Sequence, residues 1–378
     1  MSSAMQYRRF GRTNLTLSVA SLGTMRFTSQ AIAQEVISDA IAAGINHIET
    51  ALGYGDSEAY IGNAINALST PRDKLHVTSK LLPTMDAAAA EQAIDTSLAR
   101  LNTDYLDSLA LHGLNTDEHI EQIKSTTGCM AAVRAAIADG RVRHVGFSTH
   151  GSLDLILRVI NTGWFEFVNL HYYLFFQRNA AAIALAHEED MGIFIVSPGD
   201  KGGRLYTPPQ ALIDACHPYS PLELSYRFLL SDPRIATLSI GPATPEELNP
   251  CLDLLRCGPL TASETTSLKQ LDTQAAQQLG TSQCQQCYQC LPCPEAIHIP
   301  EVLRLRNLAI AHSMVDYGRY RYGMFENAGH WFPGRRGSRC TDCGDCLPRC
   351  PENLPIPELL RDADQRLRGT PRRRLWSD

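Results

Sequence analysis

The chain has 378 residues, of which 44% are hydrophobic and 20% charged, and its formal net charge is −6 at pH 7. This composition excludes a mostly disordered or fibrous chain, and the length suits a large barrel with an added domain. The acidic balance gives no electrostatic case for nucleic acid as a partner. No apolar run reaches the roughly 20 residues that cross a bilayer, and the polar start MSSAMQYRRF lacks a signal-peptide core. We therefore expect a soluble, cytoplasmic protein that binds no membrane.

Short apolar runs alternate with amphipathic stretches over the first part of the chain. The runs predict eight strands, at residues 17–23, 45–50, 75–80, 105–112, 143–148, 165–170, 192–197 and 235–241. Between them, AIAQEVISDAIAAG, AAAAEQAIDTSLARL and GCMAAVRAAIADG repeat apolar residues every three or four positions, which indicates helices. Eight βα units of this length favour an α/β fold, a (β/α)₈ TIM barrel, over an open doubly wound sheet. The first strand is also not followed by a G-x-G-x-x-G fingerprint.

The pattern changes at the polar stretch QAAQQLGTSQ, so we predict a barrel over 1–275 and a second domain over 276–378. The second segment has 14 Arg, no Lys and 11 acidic residues, a formal charge of +3, which leaves −9 for the preceding residues. It contains an internal repeat, in which CPEAIHIPEVLRL from Cys293 and CPENLPIPELLRD from Cys350 share C-P-E-x-x-x-I-P-E-x-L-R. The repeated Pro suits the first turn of a helix. We predict a small, mostly helical, pseudo-twofold domain.

Eight of the twelve cysteines form two quartets within this segment. The quartets are Cys284, Cys287, Cys290 and Cys293, then Cys340, Cys343, Cys346 and Cys350. The second matches C-x₂-C-x₂-C-x₃-C-P, in which three thiolates hold one [4Fe-4S] cluster and the fourth ligates another. The pattern predicts two [4Fe-4S] clusters with exchanged fourth ligands, so that Cys350 joins the first triplet and Cys293 the second. Zinc is the alternative, because C-x₂-C pairs also bind Zn²⁺, but zinc explains neither the triplets nor the two C-P ends.

Polar residues lie at or just beyond the predicted C-terminal ends of strands two, three and four, where barrel enzymes place their chemistry. They are Glu49, Tyr54, Lys80 and His112. The segments INHIETALGYG, HVTSKL and DYLDSLALHGL resemble the aldo-keto reductases, whose signature is an acid five residues before a Tyr, then a Lys and a His on the next two strands. The opening RRFGRTNLTLSVASLGTMRF is similar too. The cysteine-rich tail resembles an iron-sulfur subgroup of that family, which has a C-terminal two-cluster ferredoxin-like domain.

The resemblance implies a role for each of the four polar residues. Tyr54 would give a proton to the carbonyl oxygen during reduction by hydride and take it back during oxidation of the alcohol. Lys80 would lower the pKa of Tyr54, Glu49 would keep Lys80 charged and oriented, and His112 would hydrogen-bond the carbonyl oxygen. Glu49 departs from the family's usual Asp. The added methylene moves the carboxylate by about 1 Å, a misplacement that can cost about a hundredfold in rate.

The resemblance also implies a site for NADP or NAD. The family's Ser-Asn pair after strand five corresponds to Ser148 and Thr149, and its Gln on strand six to Asn169. The Gly-rich loop SPGDKGGRL after strand seven offers backbone amides and basic side chains to a pyrophosphate. The cofactor-binding residues expected are Thr24, Ser148, Asn169, Ser197, Lys201, Gly202, Gly203, Arg204 and Gly241.

The loop after strand eight, IGPATPEEL, bears on the choice of cofactor. Thr244, Pro245 and Glu247 predict the start of a helix with a capping box. Helix N-termini attract phosphate, yet Glu246 and Glu247 would repel the 2′-phosphate of NADPH. The preference between NADP and NAD is therefore open at the sequence level.

The leading hypothesis is an oxidoreductase that reduces a carbonyl or oxidises an alcohol, with two clusters that exchange electrons with a ferredoxin or another carrier. Basic residues give the second domain a positive surface. They are Arg319, Arg321, Arg335, Arg336, Arg339, Arg372, Arg373 and Arg374. This surface is either a solvated face with a terminal Arg tail or, near the clusters, a face that docks an acidic carrier by electrostatic steering. Hydride transfer alone needs no one-electron carrier. The alternatives are a ferredoxin-coupled reductase without nicotinamide and a non-catalytic redox sensor or electron relay on a degenerate barrel.

Overall fold

The computed structural model describes residues 4–371, so Arg372, Arg373 and Arg374 lie outside the described residues. Within that range the chain forms two compact units. The first contains the residues up to Gly202 together with Ser225–Pro259, and the second contains Gly203–Leu224 together with the residues from Leu260 onward. The predicted boundary after residue 275 falls inside one continuous helix, Ala262–Leu279. The assignment of domains to 1–275 and 276–378 therefore stays a prediction.

Ten strands are present among the described residues, and eight of them close into a parallel barrel. The strands are β1 (Tyr7–Arg9), β2 (Thr16–Ser18), β3 (Ala20–Gly23), β4 (His47–Glu49), β5 (His76–Leu81), β6 (Leu106–Leu111), β7 (Val142–Ser148), β8 (Phe167–Leu170), β9 (Gly192–Ile195) and β10 (Thr237–Ile240). The barrel runs from β3 to β10 in sequence order and closes where β10 pairs with β3. The (β/α)₈ barrel predicted from the sequence is confirmed, and each of its eight predicted strands is present.

Fourteen α-helices are present in residues 4–371. They are α1 (Gln30–Ala42), α2 (Ser57–Ala67), α3 (Ala87–Leu101), α4 (Asp117–Lys124), α5 (Cys129–Ala138), α6 (Leu153–Ile160), α7 (Ala180–Glu188), α8 (Gln210–Cys216), α9 (Pro221–Leu230), α10 (Pro245–Leu252), α11 (Ala262–Leu279), α12 (Ile299–Ala311), α13 (Val315–Tyr322) and α14 (Ile356–Leu367). None of them is both long and apolar enough to cross a membrane. Helix α3 illustrates the local rules, since the Asp86 side chain caps its start and Asn102 ends it with a left-handed backbone.

The antiparallel hairpin of β1 and β2 was not predicted, because the run at 17–23 reads as one strand. In the structure that run divides, so that β2 pairs with β1 and β3 enters the barrel. The hairpin carries Phe10, whose ring lies 5.3 Å from the ring of Phe167 on β8. Gly192, at the start of β9, makes room for it, because a Cβ there would lie 2.5 Å from the Phe10 ring. Phe10 thus joins the hairpin to the barrel core.

A buried polar network crosses the barrel interior. Ser21 on β3 bonds to both His47 Nδ1 (2.6 Å) and the Thr237 hydroxyl (2.7 Å), and His47 Nε2 lies 2.7 Å from the Thr78 hydroxyl. Burial lowers the pKa of His47 to about 3, so its imidazole is neutral at pH 7. Because these polar groups bond to one another, the network satisfies its own hydrogen bonds inside the barrel.

The second unit is helical, as the sequence predicted. Helices α12, α13 and α14 pack against one another, and residues 260–371 contain no β-strand. Helices α12 and α14 begin at the two copies of Ile-Pro-Glu. Within α12, Arg304 and Glu301 form a buried ion pair, with Nη2 and Oε1 2.6 Å apart. Between α13 and α14, the Tyr322 hydroxyl donates to Asp364 (2.7 Å).

Candidate functional site

The structure brings Glu49, Lys80 and His112 to one end of the barrel. Glu49 ends β4, Lys80 is the fifth residue of β5, and His112 follows β6 directly, so neighbouring parallel strands carry all three to the C-terminal end. Lys80 Nζ donates to Glu49 Oε2 and to the Thr50 carbonyl (2.6 Å), and both side chains of the ion pair are buried. Two acceptors therefore fix the position of the ammonium group.

Tyr54 lies beside this ion pair, in the loop between β4 and α2. Lys80 Nζ is 5.0 Å from the centroid of the Tyr54 ring, within cation–π distance. The His112 ring stands edge-on to Tyr54, with 5.7 Å between centroids. The second oxygen of Glu49 accepts from the Ser239 hydroxyl of β10 at 3.1 Å, a contact that the sequence did not reveal. The four polar residues expected from the sequence are therefore neighbours.

The electrostatics of Tyr54 differ from the expectation. Burial, with the Glu49 carboxylate adding to it, raises the pKa of Tyr54 well above its usual value near 10. This direction is opposite to the lowering expected from Lys80. The main physical reason is burial of the phenol, which disfavours tyrosinate. In addition, Lys80 is paired with Glu49, so the carboxylate offsets the ammonium charge that would stabilise tyrosinate. Tyr54 is consequently a neutral hydroxyl, and thus a proton donor, across the neutral pH range.

Asn169 on β8 has an unusual environment. Its side chain is fully buried, yet neither Oδ1 nor Nδ2 has a hydrogen-bond partner in the described part of the chain. An amide offers both a donor and an acceptor, which are the groups that complement the carboxamide of nicotinamide. Buried polar atoms are rarely left without partners in proteins. This residue therefore fits one half of a nicotinamide site.

The remaining candidates for the nicotinamide site bond to the backbone. The Ser148 hydroxyl accepts from the Gly113 N–H (3.0 Å), and the hydroxyl of Thr149 donates to the Leu114 carbonyl (2.7 Å). Thr24 is fully buried, and its hydroxyl donates to the Glu49 carbonyl (3.0 Å). These hydroxyls hold the ends of barrel strands together, so the carboxamide clamp fits only in part.

The residues expected to bind pyrophosphate do not fall in one compact unit. Ser197, Lys201 and Gly202 belong to the first unit, and the Lys201 N–H donates to the Ser197 carbonyl (2.9 Å). Gly203 and Arg204 belong to the second, where the Arg204 guanidinium lies 4.4 Å from the centroid of the Tyr320 ring. A pyrophosphate site shared by these residues stays a prediction.

Arg26, which the sequence analysis missed, reaches the loop after β10. Its guanidinium donates to Glu247 at 2.6 Å and 3.2 Å and to the Gly241 carbonyl at 3.0 Å. The predicted capping box is wrong, because the Thr244 side chain makes no cap bond and Glu247 accepts from the N–H of Ala243 instead. Arg26 offsets the negative charge of Glu247, so the repulsion expected at this loop is weaker than the sequence suggests.

The cysteines of the second unit line two cavities. Each cavity receives three cysteines from one triplet and one from the other repeat. The first is lined by Cys284, Cys287, Cys290 and Cys350. The second is lined by Cys293, Cys340, Cys343 and Cys346. This exchange of the fourth cysteine is the arrangement predicted from the spacing, and four thiols around a cavity fit a [4Fe-4S] cluster.

The two cysteine loops repeat in backbone conformation as well as in sequence. Gln286 and Asp342, each directly before the second cysteine of its triplet, have φ of 61° and 57°, and Ala296 and Asn353 after the C-P pairs have 53° and 50°. Left-handed conformations are uncommon for residues other than glycine, so the agreement shows a common local fold. Burial raises the pKa of Cys284, and hydrogen bonds from Gln286 act against that rise.

The basic residues of the second unit are largely engaged within that unit. Arg335, Arg336 and Arg339 all approach the Glu326 carboxylate, at 3.5, 3.7 and 2.7 Å. Arg321 lies 4.4 Å from the centroid of the Phe332 ring. Because one carboxylate offsets part of this charge, the surface around these arginines is less positive than their number implies. Electrostatic steering of an acidic carrier would be correspondingly weaker.

Comparisons with known proteins agree with the two units. The Aldo/keto reductase family model matches residues 20–207, and the 4Fe-4S dicluster domain model matches residues 283–354. An aldo-keto reductase of Mycolicibacterium smegmatis is 31% identical over 268 residues, which cover 68% of this chain and 88% of that protein. The uncharacterized oxidoreductase YqkF of Bacillus subtilis is 23% identical over 303 residues, covering 70% of this chain and 96% of that protein.

Solved structures give the same fold. An aldo-keto reductase from Bacillus halodurans, in its holo form, superposes with a TM-score of 0.61 at 21% sequence identity. The match covers 70% of this chain and 95% of that one. At this level of identity, the comparison supports the architecture of the barrel.

Proposed function

Because the chain belongs to the aldo-keto reductase family and carries a 4Fe-4S dicluster domain, we propose that it reduces a small carbonyl substrate with a nicotinamide cofactor. The two [4Fe-4S] clusters would exchange electrons with a ferredoxin or another one-electron carrier. The observation that carries the first part is the proximity of Tyr54 to both the His112 ring and the Lys80–Glu49 ion pair.

In the proposed mechanism the nicotinamide, when bound, supplies the hydride. Tyr54 gives its hydroxyl proton to the oxygen of the substrate as negative charge develops there. The position of the Lys80 ammonium is fixed by its hydrogen bonds to Glu49 and to the Thr50 carbonyl. This ammonium lies 5.0 Å from the centroid of the tyrosine ring, and Glu49 offsets part of the charge with which it would stabilise the tyrosinate left after proton transfer. His112 would orient the carbonyl oxygen toward Tyr54.

The raised pKa of Tyr54 determines which protonation state this residue holds at neutral pH. A neutral phenol is ready to donate a proton, whereas alcohol oxidation needs a tyrosinate to accept one. Burial and the Glu49 carboxylate disfavour that anion. We therefore propose that at neutral pH the free enzyme holds Tyr54 in the protonation state that carbonyl reduction requires.

Asn169 supports the use of nicotinamide, since its buried amide has a donor and an acceptor without partners among the described residues. We propose that Asn169 holds the carboxamide of the cofactor, next to Ser148 on the neighbouring strand β7. The proposed set of cofactor-binding residues is completed by five residues of the first unit: Thr24, Ser197, Lys201, Gly202 and Gly241. The proposed cluster ligands are the eight cysteines that line the two cavities.

The test is a titration of anaerobically purified protein with NADPH and with NADH, in which cofactor fluorescence reports binding. Its matched variant is Asn169→Leu, which has a similar volume and lacks the amide. We expect the wild type to bind one or both nucleotides and Asn169→Leu to bind at least about tenfold more weakly, as ~1.4 kcal/mol corresponds to tenfold. Protein that contains both clusters but binds neither nucleotide would contradict the proposal. That result would favour the ferredoxin-coupled reductase or the non-catalytic relay.

A further inference from the structure

Gln286 is the residue of the cysteine loops that most clearly distinguishes the two cavities. Its side-chain Nε2 donates to Cys284 Sγ at 3.5 Å and to the Pro300 carbonyl at 2.9 Å. Gln286 is only partly exposed, and both acceptors of its Nε2 group belong to the same unit as Gln286. Since a carbonyl oxygen accepts but cannot donate, Pro300 fixes the NH₂ group of Gln286, and not its oxygen, on the sulfur side.

In the other copy of the repeat, the side chain at the corresponding position is not a donor. Asp342 occupies the corresponding position before Cys343, with nearly the same left-handed φ, 57° against 61°. Its carboxylate accepts from Arg361 Nη1 at 2.6 Å. A carboxylate has no N–H to give to sulfur, so the two loops share a backbone and differ in what they present to the first cysteine of each triplet.

Hydrogen bonds to cysteine sulfur tune the reduction potential of an iron-sulfur cluster. Reduction adds negative charge, part of which resides on the sulfurs, so an N–H that points to a sulfur stabilises the reduced state and raises the potential. We propose that Gln286 raises the reduction potential of the cluster held by Cys284, Cys287, Cys290 and Cys350, by donating its side-chain N–H to the Cys284 sulfur. This inference rests on the proposed assignment of cysteine ligands and is independent of the chemistry in the barrel.

The experiment is a redox titration of the purified holoprotein, monitored by electron paramagnetic resonance, without nucleotide or substrate. Gln286→Met keeps the length of the side chain and removes the donor. Gln286→Glu is nearly isosteric and replaces the donor by a negative charge. We expect the potential of one cluster to fall in Gln286→Met and to fall further in Gln286→Glu, while that of the second cluster stays at its wild-type value.

The matched control is Gln289→Met, in the same triplet loop, where the glutamine is exposed. It should leave both potentials unchanged. If both Gln286 variants have full iron content and wild-type potentials, this inference is wrong, while the assignment of the cysteine ligands is unaffected. Loss of iron from both variants would also overturn it, since Gln286 would then be needed to hold the loop. A wild-type protein with fewer than two clusters would overturn the cysteine assignment as well.

Discussion

At the scale of single residues, the electrostatics of the site depend on how the Glu49 carboxylate offsets the charge of the Lys80 ammonium. Lys80 is bonded to Glu49 and to the backbone of Thr50, so its ammonium acts on Tyr54 only together with the carboxylate. The added methylene of Glu49 does not prevent contact with Lys80, and it allows the second oxygen to reach Ser239. The departure from the usual Asp is therefore accommodated by a local contact that a sequence pattern does not show.

The first prediction concerns Tyr54 as the proton donor. We expect Tyr54→Phe to reduce the rate of carbonyl reduction by about 10²–10⁴-fold, the usual contribution of a general acid, while nucleotide affinity changes little. Because the pKa of Tyr54 is raised, the donor is protonated throughout the neutral range, so the wild-type reduction rate should not fall as pH rises from 6 to 9 through loss of this proton. Alcohol oxidation needs the tyrosinate and should accelerate with pH.

The measurement is kcat/KM in both directions against pH, with a non-titrating carbonyl substrate. Retained turnover in Tyr54→Phe would exclude this residue as the donor. A reduction rate that falls with an apparent pKa near 7 and loses this dependence in Tyr54→Phe would contradict the raised pKa.

At the scale of elements, sequence periodicity located the barrel well. The run AAAAEQAIDTSLARL coincides with α3, because its apolar positions, its Asp86 cap and its end at Asn102 are all local properties. The division between β2 and β3 could not be predicted, since it depends on pairing with β1, and antiparallel pairing depends on a tertiary partner. The helix start at Thr244 was predicted, yet its capping box was not formed, because the Glu247 side chain bonds to Arg26, more than 200 residues away in the chain.

The second prediction concerns this contact between Arg26 and Glu247. Both side chains are partly exposed, with 42% and 43% of their surface accessible. We expect Glu247→Gln to release the guanidinium for a 2′-phosphate and to shift the preference toward NADPH over NADH by about fivefold, equivalent to ~1 kcal/mol. Competitive binding of the two nucleotides measures the shift.

The matched control for that variant is Glu246→Gln. It removes the same charge from the adjacent position, but the Glu246 side chain bonds to Thr244 and not to Arg26. An equal shift in both variants would indicate a general charge effect and would contradict a specific role for Arg26.

At the scale of the whole molecule, the spacing predicts the exchange of the fourth cysteine between the repeats, because the C-x₂-C-x₂-C pattern limits how three thiols can face one cluster. The cysteines that line each cavity agree with this expectation, and the ligation itself stays a prediction. The environment of each cavity could not be predicted. The bond from Gln286 to Cys284 and the approach of three arginines to Glu326 depend on side-chain positions set by tertiary packing. The local chemistry of the site was therefore predictable where it follows from motif spacing, and not where it follows from contacts distant in sequence.

The third prediction tests the exchanged ligation by combining substitutions. Cys343→Ser and Cys293→Ser lie at one cavity, so their double variant should lose no more iron than either single variant, about half of the wild-type amount. Cys343→Ser with Cys350→Ser affects both cavities and should lose nearly all iron. Iron and labile-sulfide analysis gives the result, with Cys257→Ser, outside both cavities, as the control. The reverse pattern would assign each quartet to its own cluster.

The crossed lining of the cavities also imposes an order on biosynthesis. Cys350 closes the cavity that begins at Cys284, and Cys293 contributes to the cavity that is completed near Cys346. While the chain emerges from the ribosome, the first triplet has no fourth thiol until Cys350 has been translated. Neither cavity can therefore be completed by the first repeat alone, and a truncated translation product that ends before the second triplet would leave both incomplete. If these cysteines are the ligands, neither cluster would have its full set before the second triplet has been synthesised.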